Sequence, residues 1–177
     1  MYKIHHGRTI MNVNNNTLII RKATPADLDI VTSIEATCFP PAEAAPREAF
    51  EERLAHYADH FLLIFDGETP IGFIDGFVSD EMVLTDEMFS DASLHNPQGA
   101  WQMIFGLNTL PAYRNRGVAA RLIESFVQLA KYEERKGLIL TCKDKLIHYY
   151  AKFGFVNEGE SVSDHGGANW YQMRLTF

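Results

Sequence analysis

No apolar periodicity runs through Met1–Asn16, where Asn12, Asn14, Asn15 and Asn16 crowd together, and this stretch reads as a flexible tail. Order is expected from Thr17, giving one domain over 17–177. Thr17–Lys22 is rich in β-branched and aliphatic residues and predicts a strand; Thr24 followed by Pro25 is an N-cap with proline at the first helical position, predicting a helix to about Thr37. Pro40 and Pro41 stop that helix. Pro46 opens a second one, in which Phe50, Leu54 and Tyr57 recur at helical spacing. Phe61–Phe65 and Pro70–Val78 predict two strands of a hairpin turned at Asp66 and Gly67. Asp80–Pro97 is a polar interlude. Trp101–Leu110 predicts a strand, and Asn115–Lys136 the longest helix, with Val118, Leu122, Phe126 and Leu129 on one stripe and Gly137 at its end. Leu138–Cys142 fits a short buried strand, Asp144 caps a helix to Lys152 that Gly154 terminates, and strands around Phe155–Glu158 and Asn169–Leu175 finish the chain.

Strands interleaved with helices predict an α/β fold, a central mixed sheet flanked by helices, with no internal repeat. The helical crossover between Trp101–Leu110 and Leu138–Cys142 requires those two strands to run parallel. At 177 residues and 46% apolar the chain suffices for one sizeable core. No apolar run approaches the roughly 18 residues of a membrane helix, and the first residues lack a signal peptide's apolar block, so a soluble, cytoplasmic protein is expected. Cys38 and Cys142 are too few for a disulfide framework or a zinc site and are expected reduced. His5 and His6 have no evident partners, and no metal site is expected. Sixteen Lys and Arg against 23 Asp and Glu give a net charge of −7, which disfavours nucleic acid and anionic membranes and favours a neutral or cationic small-molecule substrate.

The most informative segment runs from Leu107 to Ala120, where a strand passes through a short loop into an amphipathic helix. A glycine at the turn, Gly117, permits close backbone approach, and the free N–H groups of the first helical turn favour an anion beside Arg114 and Arg116. Taken alone, these residues leave two readings open, an anion site or a packing glycine with solvated arginines. There is no P-loop lysine motif and no dinucleotide glycine fingerprint.

Arg114, Gly117 and Ala119, with two residues and then one between them, resemble the pyrophosphate-binding signature of the GNAT acetyltransferase superfamily. Tyr150 to Phe155 resembles the segment that supplies the family's thiolate-facing tyrosine. Closer similarity to arylalkylamine (serotonin) N-acetyltransferases covers Phe39-Pro40, Arg47 to Phe50, Leu94, His95 and Pro97, and Cys142 with Asp144. The resemblance implies the GNAT acyl-CoA N-acyltransferase fold and acetyl-CoA as co-substrate. Leu107, Asn108 and Thr109 would hold the pantetheine arm along the strand edge, and Arg114, Asn115, Arg116, Gly117, Val118, Ala119 and Ala120 the diphosphate. An acid-free first turn suits that role, since a carboxylate there would repel phosphate.

Tyr150 is the expected general acid, because a phenol with a pKa near about 10 is protonated at neutral pH and can donate to a departing thiolate. Its alternative is a packing aromatic on the helix face; Tyr149 points elsewhere and inherits no role. The serotonin enzymes' two histidines on the preceding strand are matched here by Met103 and Phe105, which either line an apolar substrate wall or pack in the core. His95 is then the leading base, with a water chain as the other route. Asp80, Glu81, Asp86, Glu87 and Asp91 form an acidic stretch without Lys or Arg, either an entrance that attracts a protonated amine or a solvated loop. The expected function is acetyl transfer from acetyl-CoA to a primary amine. Protein N-terminal or lysine acetylation and a non-catalytic acyl-CoA sensor stand as rivals, and a homodimer is left open.

Overall fold

In the computed structural model, the described residues are 17–177, together with the backbone of a two-stranded pairing between β1 (Ile4–His5) and β2 (Arg8–Thr9). The flexible tail expected over Met1–Asn16, with the side chains of His5 and His6, otherwise lies outside the described residues. β3 (Leu18–Lys22) leads to a turn of 3-10 helix at Pro25–Asp27 and then to α1 (Leu28–Cys38). Asp27 fixes this entry: its carboxylate accepts the Thr24 N–H at 2.8 Å and both terminal nitrogens of Arg21 at 2.8 Å. α2 (Arg47–Tyr57) precedes the hairpin of β4 (Phe61–Asp66) and β5 (Thr69–Asp75), and β6 (Val78–Ser79) continues β5 beyond Gly76 and Phe77. The polar interlude contains α3 (Asp86–Ser90) and a 3-10 turn at Ala92–Leu94.

The strand expected over Trp101–Leu110 is divided into β7 (Trp101–Ile104) and β8 (Gly106–Thr109). The cause is a β-bulge. The Phe105 N–H donates to the Asp75 carbonyl at 2.8 Å, while the strand register pairs Asp75 with Gly106, so two residues of one strand face one of the other. Upstream, β7 runs parallel to β9 (Gly137–Cys142), from Trp101 opposite Gly137 to Ile104 opposite Leu140. Downstream, β8 pairs with β5 and ends the four-stranded sheet β3-β4-β5-β8. The other sheet has the order β10-β11-β9-β7-β6, with β10 (Val156–Glu160) and β11 (Tyr171–Thr176) as its far hairpin. β8 and β9 therefore part beyond Ile104 and Leu140, and the edge of β8 turned toward β9 has no strand partner among the described residues.

Helices cover both faces. α4 (Val118–Tyr132) and α5 (Ile147–Ala151) pack Val118, Leu122, Phe126 and Tyr150 against Ile74, Ile104 and Leu140 on one face. α1 and α2 pack Val31, Phe50, Leu54 and Tyr57 against Phe73, Phe77 and Met103 on the other. α4 is shorter than the span expected from Asn115 to Lys136. At its start, Asn115 (φ 59°) and Gly117 (φ 77°) adopt left-handed backbone; at its end Glu134 (φ 59°) breaks the helix before Gly137, which already belongs to β9. Among the described residues no helix is long and apolar enough to cross a membrane.

Candidate active site

The divergence of β8 from β9 makes a cleft with a backbone edge on one side. The Leu110 N–H donates inward to Ile71 O at 2.8 Å, so alternation along an antiparallel strand turns the amide and carbonyl groups of Leu107 and Thr109 toward the cleft. The Thr109 carbonyl already accepts Arg114 Nε at 3.0 Å and the Cys38 thiol at 3.4 Å, which anchors the arginine across the turn. Asn108 differs from its expected placement: it is buried, and its side chain donates to Glu35 Oε2 at 2.5 Å, tying β8 to α1 on the face away from the edge. The same alternation points its main chain at β5.

Below this edge the chain turns into α4. The first helical amide to find its acceptor is that of Arg121, bonded to Gly117 O at 3.1 Å, which leaves the amides of Val118, Ala119 and Ala120 aimed outward from the first turn. Gly117 offers no side-chain cap to them, and the turn holds no acid. The left-handed Asn115 and Gly117 bend the preceding backbone into a concavity. Gly117 lies open, with nothing within 4 Å of the point a Cβ would occupy, and Arg114 and Arg116 flank it. Such a terminus receives an anion on amides and helix dipole together.

Tyr150 stands on α5 facing the same sheet, 9% exposed, its ring 6.1 Å from Phe155 and 5.3 Å from Tyr149. Burial, chiefly, and then the neighbouring Cys142 and Tyr149 push its phenol well above the ordinary tyrosine value. The Cys142 thiol, facing Met173 Sδ at 3.5 Å, is itself pushed up to about 11 by burial. No hydrogen-bond partner for the Tyr150 hydroxyl occurs among the described residues. The phenol is thus held protonated with its donor uncommitted, the state proton donation requires.

On the other face of the sheet, under α1 and α2, the candidate groups are side chains that come from distant segments. Met103 is fully buried in the core under α2, so of its two expected roles the packing one fits; it touches no open space. Phe105 is half-buried, with its ring 4.8 Å from Phe89 and 4.9 Å from Phe77. His95 lies against Tyr57, His60 and Phe77. Its Nδ1 accepts the Val78 N–H at 3.0 Å, which places the ring proton on Nε2, and burial followed by the charge of His60 lowers its pKa to about 4. A ring whose one lone pair is occupied is a donor, and the base role expected of His95 does not suit this geometry.

Sequence reasoning misses the group at the bulge itself. Asp75 is 0% exposed; its Oδ2 accepts Arg53 Nη1 at 3.2 Å and the Tyr57 hydroxyl at 3.3 Å, and Arg53 Nη2 donates to Phe89 O at 3.1 Å. Asp75 Oδ1 is buried without a hydrogen-bond partner among the described residues. Burial, opposed by Arg53 and assisted by Glu35, raises the carboxyl to about 6. A sequence signal exists: an aspartate within the apolar strand Ile71–Val78, and an arginine one helical turn before Tyr57.

The acidic stretch frames a cavity of about 520 Å³ lined by Phe77, Val83, Met88 and Leu94 together with Asp80, Glu81 and Glu87. Three of the stretch's five acids are engaged in holding loops: Asp80 accepts Ala100 N–H at 3.0 Å, Asp86 the Ser163 hydroxyl at 2.5 Å, and Asp91 Ser93 N–H at 3.0 Å. The carboxylates of Glu81 and Glu87 have no partner among the described residues.

Comparison with known proteins places this architecture. The model of the acetyltransferase (GNAT) family matches residues 28–155. The protein named probable hydrolase YhcX of Bacillus subtilis (strain 168) is 27% identical over 149 residues, 76% of this chain but only 28% of that protein's length. Two solved structures share the fold: the loading GNATL domain of CurA from Lyngbya majuscula, with TM-score 0.77, 14% identity and 90% and 97% of the two chains covered, and Arabidopsis thaliana Naa50 in complex with the bisubstrate analogue CoA-Ac-MVNAL, with TM-score 0.71, 15% identity and 91% and 99% covered.

Proposed function

Because the chain belongs to the GNAT acetyltransferase family, we propose that it transfers the acetyl group of acetyl-CoA to a small primary amine of the arylalkylamine type, with Tyr150 as general acid. The observation that carries the reading is the unpaired edge of β8, which leads into an uncapped helix terminus at Gly117, with the protonated, uncommitted phenol of Tyr150 on the sheet face that α4 covers. These groups fit acetyl-CoA. Leu107 presents amide and carbonyl to the pantetheine arm, the amides from Asn115 to Ala120 and the charges of Arg114 and Arg116 meet the diphosphate, and Tyr150 faces the sulfur. When bound, acetyl-CoA supplies an activated thioester carbonyl. The protein orients it, offers backbone donors to the oxygen as charge builds there, and gives a proton to the leaving sulfur.

A phenol raised by burial is a weak acid in isolation, yet the same dry surroundings raise the thiol, so the two remain matched. For the acceptor, a cavity of about 520 Å³ lies within the range of small-molecule sites. Its apolar walls suit an aromatic or aliphatic body, and Glu81 and Glu87 suit a cationic head. Acetylation of a protein N-terminus is the second reading, favoured by the likeness to Naa50 with its peptide-bearing analogue.

An amine panel assayed by release of free thiol tests both. Turnover of arylalkylamines is expected. Transfer to peptide N-termini alone would replace the small-amine reading with the second, and tight acetyl-CoA binding without transfer to any amine or peptide would make the protein a sensor.

A further inference from the structure

We propose that Asp75, through its unpaired Oδ1, is the group that takes the proton from the incoming amine. The inference rests on the primary-amine reading above and assigns it a base from a segment where none was expected. Three geometric facts converge on this carboxylate. The bulge sets both Phe105 and Gly106 opposite Asp75, so the carboxylate lies under the point where β8 leaves β9 and the cleft opens. Gly106 has no side chain to cover it: a Cβ there would stand 2.6 Å from Asp75 Oδ1. One carboxylate oxygen is held by Arg53 and Tyr57, while the other has no hydrogen-bond partner among the described residues although it is buried, a costly arrangement that a visiting N–H or water would relieve.

The charged and titratable groups around it are Arg53 and Tyr57 from α2 and Glu35 from α1; Met103 of β7, Phe105 of the bulge and Gly106 of β8 carry none. Arg53 keeps the carboxylate ionised at neutral pH against its burial, and Glu35 opposes that. The resulting value, about 6, sits near the optimum for a base working at neutral pH. His95, the other nearby candidate, has its available lone pair committed to Val78.

In the proposed step, one N–H bond of the ammonium breaks and its electron pair stays on nitrogen. The proton passes to Oδ1 through a water admitted at Gly106, making Asp75 a carboxylic acid. The freed lone pair forms the C–N bond as the C–S bond breaks. Tyr150 protonates sulfur and is reprotonated from solvent, the second nitrogen proton leaves to solvent, and Asp75 returns its proton to solvent before the next turnover.

The test compares two amines of nearly identical shape, phenethylamine, which is an ammonium at pH 7, and O-benzylhydroxylamine, which is already neutral. Asp75→Asn should lower single-turnover acetylation of phenethylamine by about 10²–10⁴-fold and that of O-benzylhydroxylamine by less than about tenfold. Equal losses for both overturn the proposal and leave the acetyltransferase reading standing. Wild-type protein that acetylates neither amine overturns that reading, and the proposal with it.

Because the Asn variant leaves Arg53 buried without its counter-charge, the wild type supplies the independent measurement. Its kcat/KM for phenethylamine, expressed on total amine because that substrate is an ammonium throughout the range, should fall as pH drops through about 6, where Asp75 protonates, and that for O-benzylhydroxylamine should not. In the free protein, the ¹³C resonance of the Asp75 carboxyl should titrate in the same range. A pH limb shared by both amines, or a carboxyl titrating in the ordinary aspartate range, overturns the assignment.

Discussion

The two walls of the cleft are made differently. On the side proposed for the cofactor, the candidate groups are main-chain: the edge of β8 and the first amides of α4, arranged by one uninterrupted stretch from Leu107 to Ala120. On the side proposed for the acceptor they are side chains from α2, α3, β5 and the bulge, and Arg53, Asp75, Phe89 and Phe105 meet only after the chain has folded. A backbone site imposes few demands on residue identity beyond a left-handed turn and the absence of a competing carboxylate, so one short motif displays it. A side-chain site is spread over four separate segments, and its chemistry appears only in three dimensions.

Gly117→Glu should break the cofactor wall outright. A side chain has room there, with nothing within 4 Å, although the φ of 77° makes any side chain strained by about 1–2 kcal/mol. The added carboxylate would occupy the anion position, and acetyl-CoA binding by calorimetry should disappear while the circular-dichroism spectrum is retained. Gly117→Ala separates strain from charge and should keep measurable affinity. Unchanged affinity in a folded Glu variant would remove the assignment of this terminus.

Tyr150→Phe should leave acetyl-CoA affinity nearly intact and lower the single-turnover rate by about 10²–10⁴-fold. Its pH profile sharpens the point. The phenol is raised by burial, so it stays protonated to higher pH than a free tyrosine, and wild-type activity should show no loss attributable to Tyr150 up to about pH 10. Equal single-turnover rates in the two proteins would make Tyr150 a packing aromatic.

Gly106→Ala acts on the acceptor wall alone. Its methyl group would lie 2.6 Å from Asp75 Oδ1 and 3.3 Å from the Phe73 ring, so a loss of about 1–3 kcal/mol in stability is expected from overpacking. The kcat/KM for the amine should fall by more than the affinity for acetyl-CoA. Parallel losses in both would show that the two walls are not separable at the bulge.

The smallest effect is expected from Glu81→Gln with Glu87→Gln. Long-range attraction of a cationic amine to exposed carboxylates is screened by salt, so kcat/KM should drop by less than about tenfold at low ionic strength and match wild type in high salt. No difference at low salt would leave the acidic stretch a solvated loop.

Much of the frame is legible because hydrophobic period and punctuation agree with it: the hairpin at Asp66 and Gly67, the crossover through α4 and the parallel pairing of β7 with β9 all follow from local pattern. The errors lie where pairing overrides pattern. Trp101–Leu110 reads as one strand because a bulge inserts a residue without changing composition, and α4 reads too long because Asn115 and Glu134, neither of them glycine, take left-handed backbone at its two ends. Asp75 escapes notice inside an apolar strand, since its significance depends on Arg53 and Tyr57 arriving from another element. His95 reads as a base because a sequence does not show which of its nitrogens is occupied.

The parallel pairing of β7 with β9 also bears on how the protein is made. β7 and β8 leave the ribosome long before β9, which follows only after the whole of α4, and until β9 docks there is no second lip for the cleft to open between. Tyr150 arrives later still, and β11, which seals β9 on its other edge, follows both. A nascent chain that has emerged only through α4 therefore carries the turn at Gly117 but not the second lip, and the proposed cofactor site would be complete only once β9 has docked beside β7.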